Sequence, residues 1–483
     1  MINHGIFVNE NPTSLATPVT GTSGLQVIVG TAPVNKIADP KAAVNAPILV
    51  NSYAEAVQQL GYSDDFEKYT LCQSIYLNWK VFSISPVVFI NVLDPVVHKK
   101  ALEESEVQVT DKQATIKEIG VLLEGLTVKN SEGGAVLTVG TDFIAGFDES
   151  GYLVLTLLEA GKAANATTLK VSGNTLDPSK VTASDIVGGY DAITGKETGI
   201  EVTRKVYPRL NAIPGTLLAP GWSQDPAVGA ALQAKTANMN GIFRCIALLD
   251  LDTEKAKKYA DTKQIKEESG FSDKNGIVLW PMDIVNGKKI YKSATVGALL
   301  AYVDAENDDV PSLSPSNKLL KVTGQVLKDG TEVDLDQQQA ATVNSYGIVT
   351  AINMNGWKLW GNYTAAYPTN SDVKDMWIMV RRMFNWHANT FIQTYMDKVD
   401  DPANYRLIET VVDSENIRCA SLAPDKWAGG EIEFNLEDNP ITNIVAGKIK
   451  FRQKIAPYVP AQEITDELEY DVDMLQAAIG GGE

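Results

Sequence analysis

Three histidines (His4, His98, His387) and three cysteines (Cys72, Cys245, Cys419) are the most reactive side chains of this 483-residue chain. A zinc site or an activated nucleophile needs such residues at close, recognisable spacings: CxxC pairs, an HExxH helix or a GxSxG elbow. None of these spacings occurs, and the cysteines are far apart in the chain. The reading is three reduced thiols in apolar surroundings, with no disulfide framework and no metal ligands. His387 falls on the apolar face of a long helical pattern, where a packed, hydrogen-bonded imidazole is the ordinary occupant.

Phosphate chemistry is the other possibility, because much of the chain alternates β and α. A phosphate cradle needs glycines between strand and helix, so that backbone N–H groups can approach the anion. The turn in that position is Ala219-Pro220-Gly221-Trp222-Ser223-Gln224. Pro220 removes a donor and Trp222 adds bulk. The segment Gly189–Lys196 misses a P-loop because its glycines are one residue too far apart. Glu197 also stands where Ser or Thr would hold magnesium. No catalytic, cofactor-binding or metal-ligating residue is assigned, and the chain reads as a non-enzyme without a cofactor. A nucleotide-dependent enzyme using the βαβ region and a surface adhesin are the alternative readings.

The composition bounds the partners. Apolar residues make up 44% and charged residues 21%, with a net charge of −18. A chain of this length holds about three domains. Its acidity opposes binding to nucleic acid and to anionic membranes. The N-terminal MINHGIFVNENP lacks a basic region followed by an apolar stretch, so no secretory signal is expected. No apolar run approaches the roughly 20 residues that span a bilayer.

The elements follow from patterning. Residues 1–20 are polar and turn-rich and read as an arm. Leu25–Gly30 is a buried strand. Ser52-x-x-Glu55 opens a helix ending near Gly61, and Asp64-x-x-Glu67 opens a second running to about Phe82. Pro86–Leu93 is a strong strand. From about 99 to 198 short β runs alternate with turns, as in a small inserted β-rich domain; they include Val107–Ile116, Ala135–Val139, Tyr152–Leu158 and Thr168–Val171. The α/β alternation then resumes, with strands Thr216–Ala219, Ile242–Leu251 and Ile277–Pro281. Its helices are Asp225–Asn238, Thr253–Gln264, Ala294–Val303 and Asp334–Asn344. The longest helix is predicted over 372–396 with Ser371 as its N-cap. Arg381 and Arg382 are adjacent on it, and Arg382 points away from Trp377.

The C-terminus carries two strand patterns of opposite charge. Lys448, Lys450 and Arg452 alternate with apolar residues, and so do Glu467, Glu469 and Asp471. One antiparallel register sets Lys448 against Asp471, Lys450 against Glu469 and Arg452 against Glu467. The same register sets Ile449 against Tyr470 and Phe451 against Leu468. A one-residue slip would oppose charge to apolar surface. A hairpin over 448–473 within one chain is expected. These strands could also accept edges donated by the terminal arms of neighbouring chains.

Several segments resemble the tail sheath proteins of contractile phages of Gram-positive bacteria, R-type bacteriocins and Mu-like prophages. They are 207–226 (YPRLNAIPGTLLAPGWSQDP), 314–324 (SPSNKLLKVTG), 353–368 (NMNGWKLWGNYTAAYP), 373–414, and the C-terminal KIKFRQKIAPYVPAQEI. The resemblance covers roughly 1–98 and 199–483. It implies an α/β (α+β) multidomain chain: an arm (1–20), an α/β sheath domain (21–98 and 199–365), an outward-facing β insertion (99–198) and a conserved C-terminal core (366–483) nearest the tail tube. The hairpin 448–473 and an arm, 474–483, would end it. The implied function is helical polymerisation around a tail tube and contraction that drives the tube through an envelope. The implied partners are other copies, the tube protein, and the baseplate and tail terminator proteins, without nucleic acid or membrane insertion. Assembly would occur in the host bacterial cytoplasm, and the product would be the tail of a virion or bacteriocin. Arg381 and Arg382 are the residues expected to face the tube.

Overall fold

The computed structural model describes residues 19–20, 23–131 and 134–480. Its centre is a sheet of eight strands: β1 (Gln26–Gly30), β2 (Pro47–Val50), β3 (Val87–Asn91), β4 (Thr216–Leu218), β5 (Ile246–Asp250), β6 (Gly276–Leu279), β7 (Ile348–Asn353) and β8 (Trp357–Trp360). Their spatial order is β8-β7-β6-β5-β4-β1-β3-β2. The six inner strands are parallel, and the two outer pairings, β7 with β8 and β2 with β3, are antiparallel. Every residue of β1, β3, β5 and β6 is buried. That continuous apolar burial is what a parallel sheet covered on both faces requires. Helix α1 (Lys292–Ala305) is buried along nearly its whole length against it.

The insertion forms a separate antiparallel sheet of six strands. In spatial order they are Thr127–Asn130, Thr168–Leu176, Lys99–Thr110, Gln113–Ile119, Tyr152–Leu157 and Phe143–Phe147. It has its own core, including Leu102, Ile116, Phe143, Leu155 and Leu169. The expected single strand Val107–Ile116 is instead a hairpin. Asp111 and Lys112 take φ of 50° and 61° at its turn, the backbone of a tight two-residue hairpin. Ala135–Val139 forms only isolated bridges, to Lys129 and Phe143.

After β8 the chain enters α2 (Ile378–Tyr395), then α3 (Tyr405–Leu422) and a two-stranded antiparallel sheet of β9 (Trp427–Glu433) and β10 (Arg452–Pro457). A small core of Val310, Met383, Cys419 and Trp427 joins this unit to the body. The predicted helix over 372–396 is broken. Asp372, not Ser371, caps a short turn at Val373–Met376, and Trp377 leaves helical geometry before α2 begins. Trp377 instead bridges to Tyr363 and stacks on its ring at 4.8 Å. A tertiary contact therefore overrides the periodicity.

Other expectations hold or shift by local chemistry. Ser52 caps Tyr53–Leu60, its hydroxyl accepting from the Glu55 N–H, and Gly61 ends the helix. The second helix starts at Leu71 rather than Asp64, because 64–70 is turn. Thr253–Gln264 is helical only from Thr262. The arm residues 1–18 lie outside the described residues. Val19–Thr20 pairs in parallel with Ile84–Ser85.

Near the C-terminal boundary of the insertion, where Val181 and Ile186 already pack into the body core, two glycines face each other. Gly188 and Gly199 have φ of 65° and 59°. A Cβ would lie 1.9 Å from the Thr198 carbonyl oxygen on Gly188, and 2.3 Å from the Ile186 carbonyl oxygen on Gly199. Gly199→Ala is therefore expected to destabilise the chain by about 2 kcal/mol or more. Thermal unfolding checks this, and an unchanged midpoint would contradict the reading.

Candidate assembly surface

The turn where a nucleotide cradle would lie is filled by side chains. In a doubly wound sheet a nucleotide binds at the switch point, outside the carboxyl ends of the strands. Here that point lies between β1 and β4. Trp222, following β4, donates its indole N–H to the Thr70 hydroxyl at 3.2 Å. A side chain at Gly221 would meet Thr70 at 3.1 Å and Tyr291 at 3.3 Å. The near-P-loop segment is a hairpin, Gly189–Asp191 with Lys196–Thr198, whose Asp191 carboxylate accepts from the Ile193 N–H at 2.8 Å. Among the described residues no three His, Cys, Asp or Glu side chains gather as a metal would need, and no helix is long and apolar enough to cross a membrane.

The buried charges are structural links. Asp250, at the end of β5, accepts from the Ser293 N–H at 2.8 Å and from the hydroxyls of Ser293 (2.5 Å) and Ser223 (3.1 Å). Burial pushes its carboxyl up to about 6 against the pull of those donors. Lys292 is fully buried against Asp283 at 2.5 Å and Gln325 at 2.8 Å, and burial holds its pKa below the usual lysine value. His387 is packed as expected, with Nδ1 2.8 Å from Arg418 and Nε2 3.5 Å from Glu415. Burial depresses its basicity. All three cysteines are buried and unpaired.

Arg381 and Arg382 do not face outward. Each is 4% exposed. Arg381 donates to Asp375 at 3.0 Å and to Asn385 at 2.9 Å. Arg382 forks onto both oxygens of Asp304, with Nη1 to Oδ1 at 2.9 Å. Two guanidinium groups so far from water must be paired, and the carboxylates that pair them are already supplied within the chain. The expectation that they face a tube is corrected. Asp304 lies 78 residues from Arg382, so no local spacing announced the pair.

The hairpin over 448–473 is also corrected. β10 pairs with β9, setting Arg452 opposite Glu433 and Lys454 opposite Glu431. The backbone N–H and C=O of Lys450 are taken by the Asn439 side chain at 2.7 and 2.8 Å. Lys450 and Arg452 reach Asp438 at 3.2 and 2.8 Å. Beyond Pro457 the chain is led away: Tyr458 donates to the Pro424 carbonyl at 2.9 Å, and Gln462 bonds Asn362 and Tyr363 at 3.3 and 3.0 Å. Glu467, Glu469 and Asp471 are all exposed, and Asp471 caps α4 (Val472–Gly480) instead of pairing with Lys448.

The result is a tail that does not bury itself. Ile464 is 87% exposed and Leu468 is 89% exposed. Tyr470, Val472, Met474 and Ile479 are exposed as well, and α4 has no buried residue. Such a short helix has little stability in water without a surface to pack on. Nearby, Ile417, Leu436, Ile441 and Val445 are also exposed. Of 31 large apolar side chains exposed among the described residues, 16 follow Tyr395, so the unsatisfied surface is concentrated in this unit. The β9–β10 sheet has two strands; the Asn416 side chain occupies the N–H and C=O of Ile432 on β9, so the edge offered to a further strand is that of β10.

No family model matches the chain. It is 26% identical over 490 residues to the tail sheath protein of Burkholderia phage BcepMu, covering 99% of this chain and 98% of that protein. It is 25% identical over 303 residues to the tail sheath protein of Escherichia phage P2, covering 59% of this chain and 70% of that protein. In fold it matches a chain of the six-fold symmetrised baseplate of the anti-feeding prophage with a TM-score of 0.58 at 14% identity, covering 97% of this chain and 99% of that one. It also matches the helical sheath of the same particle in its contracted state, with a TM-score of 0.56 at 13% identity over 97% of this chain and 99% of the other. The resemblance to contractile tail sheath proteins read from the sequence is borne out, as is the mixed α/β fold.

Asp250 binds its proton more tightly in the folded chain, near pH 6, than an unfolded aspartate does. Its contribution therefore favours folding most at low pH and falls as pH rises through about 6. Asp250→Asn keeps the shape and removes the titration. Between pH 5 and pH 7 the native chain is expected to lose melting temperature relative to this variant. Parallel curves would show that Asp250 titrates normally.

Proposed function

We propose that this chain is the structural subunit of a contractile tail sheath. It polymerises in a helix around a tail tube, is assembled extended, and contracts to drive the tube through a target envelope. The single observation that carries the reading is the unburied segment 463–480 beside an open-edged two-stranded sheet. The tail sheath relatives, similar over most or all of the chain, supply its context.

The charge register that one chain does not use fits between two chains. Glu467, Glu469 and Asp471 of one subunit would lie opposite Arg452, Lys450 and Lys448 of the next. Each exposed pair contributes only about 0.2–1 kcal/mol. The charges therefore select the register, while the apolar residues Leu468 and Tyr470 and backbone groups other than those of Lys450, which Asn439 holds, supply the adhesion. The stretch 463–471 can reach about 30 Å when extended, enough to cross to a neighbour. Strand addition of this kind survives rotation of whole subunits, because its hydrogen bonds move with the strands they join. Residues 1–20 would serve as a second donated arm. The β insertion faces outward. Further partners are the tube, baseplate and tail terminator proteins, and assembly occurs in the bacterial cytoplasm. The subunit itself needs no cofactor and performs no catalysis.

Electron microscopy of the purified protein tests this. The full chain is expected to form tubes, and a chain ending at Gln462 is expected to stay dispersed with an unchanged melting temperature. Glu469→Lys should impair tube formation, and adding Lys450→Glu should restore much of it. Normal tubes from the truncated chain would remove the C-terminal arm from the assembly.

A further inference from the structure

Both terminal segments are tied to the body around α2. Ser23, at the root of the N-terminal segment, donates its hydroxyl to Asp304 at 2.9 Å and its backbone N–H to Asp309 at 2.7 Å. Asp304 is the carboxylate that holds Arg382 on α2. At the other end, Gln462 is the last residue of the C-terminal segment bonded to the body, through Asn362 and Tyr363. Asn362 accepts from the Ile378 N–H, the first residue of α2, at 2.8 Å. Ile378 and Arg382 are four residues apart, about 6 Å along the helix axis.

One loop, 306–316, closes the circuit between these roots. It starts at the end of α1 with Asn307 and Asp309, whose N–H groups both donate to the Asp304 carbonyl at 2.9 Å. It ends with the Ser314 hydroxyl donating to Asn362 at 2.6 Å. Also at its start, Asn307 and Asp308 hold Lys426 of the C-terminal unit at 2.8 and 2.9 Å. The loop also separates two hollows. Pro311 lines a cavity of about 390 Å³ shared with Ser23 and Arg382, and Ser312 lines a groove of about 730 Å³ shared with Asn362 and Gln462.

We infer that the first two turns of α2 and the loop 306–316 are a single anchor for both arms, with the buried Asp304–Arg382 pair as its centre. Arg382 is thus a positioning residue for arms it does not itself belong to. What the anchor serves rests on the sheath role proposed above: a load carried by one arm passes to the other through α2, without crossing the insertion or the far edge of the sheet. The anchor itself is a property of the isolated subunit.

Hydrogen–deuterium exchange on the full-length, unassembled protein separates the two. Arg382→Gln is expected to speed exchange about tenfold in peptides around both Ser23 and Gln462, as the loss of one buried charged contact opens a shared unit. Ser23→Ala, which removes a single hydroxyl and should fold if Arg382→Gln does not, is expected to speed both regions by about threefold. Faster exchange confined to the Ser23 side, or none at either end, would show two independent anchors and overturn the inference. Because no tube is formed in this measurement, its result does not depend on whether the chain assembles.

Discussion

Apolar surface that a chain cannot cover by itself must be covered by something else, and that constraint organises this molecule. Segment 463–480 presents Ile464, Leu468, Tyr470, Val472, Met474 and Ile479 to water. Fully burying one such aliphatic side chain stabilises by roughly 1.5–3 kcal/mol. The set together is a driving force for association that the folded monomer leaves unused. The chain could have folded the segment back on β10, and its charges match that pairing. Pro457, Pro460 and the Gln462 contacts carry it elsewhere.

The rest of the body is built to stay the same shape while its ends are held by others. The parallel sheet is closed on both faces, and several buried charges in and around it have fixed partners: Lys292 with Asp283, Arg382 with Asp304, Asp250 with two serines. Such pairs give little net stability compared with apolar packing, but breaking one is costly, so they fix geometry. The insertion keeps a core of its own and is also packed into the core of the body through Leu122, Leu176, Val181 and Ile186.

The sequence showed much of this and missed specific things for physical reasons. The strands at 26–30, 87–91 and 246–250 were legible because burial on both faces writes an unbroken apolar run. Ser52 was legible because capping is local chemistry. The break at Trp377 was not, since its cause is Tyr363, a partner outside the helix. Arg381 and Arg382 looked free because their carboxylates come from other elements. The C-terminal charge pattern was assigned to a hairpin that the chain does not form; Arg452 and Lys454 lie opposite Glu433 and Glu431 instead, and complementarity alone does not say which strand is the partner. No motif foretold the Ser23–Asp304–Arg382 link or the Gln462–Asn362 contact, because both join residues distant in the chain.

The account rests on the C-terminal segment of one subunit lying beside residues 448–452, which lead into β10, of another. A helical reconstruction of the assembled tube at side-chain resolution tests it most directly. The result expected is Glu467–Asp471 running antiparallel beside the neighbouring subunit's 448–452, with Glu469 against Lys450. A tube in which this segment folds onto its own chain, or hangs free while body surfaces alone make the contacts, would contradict it.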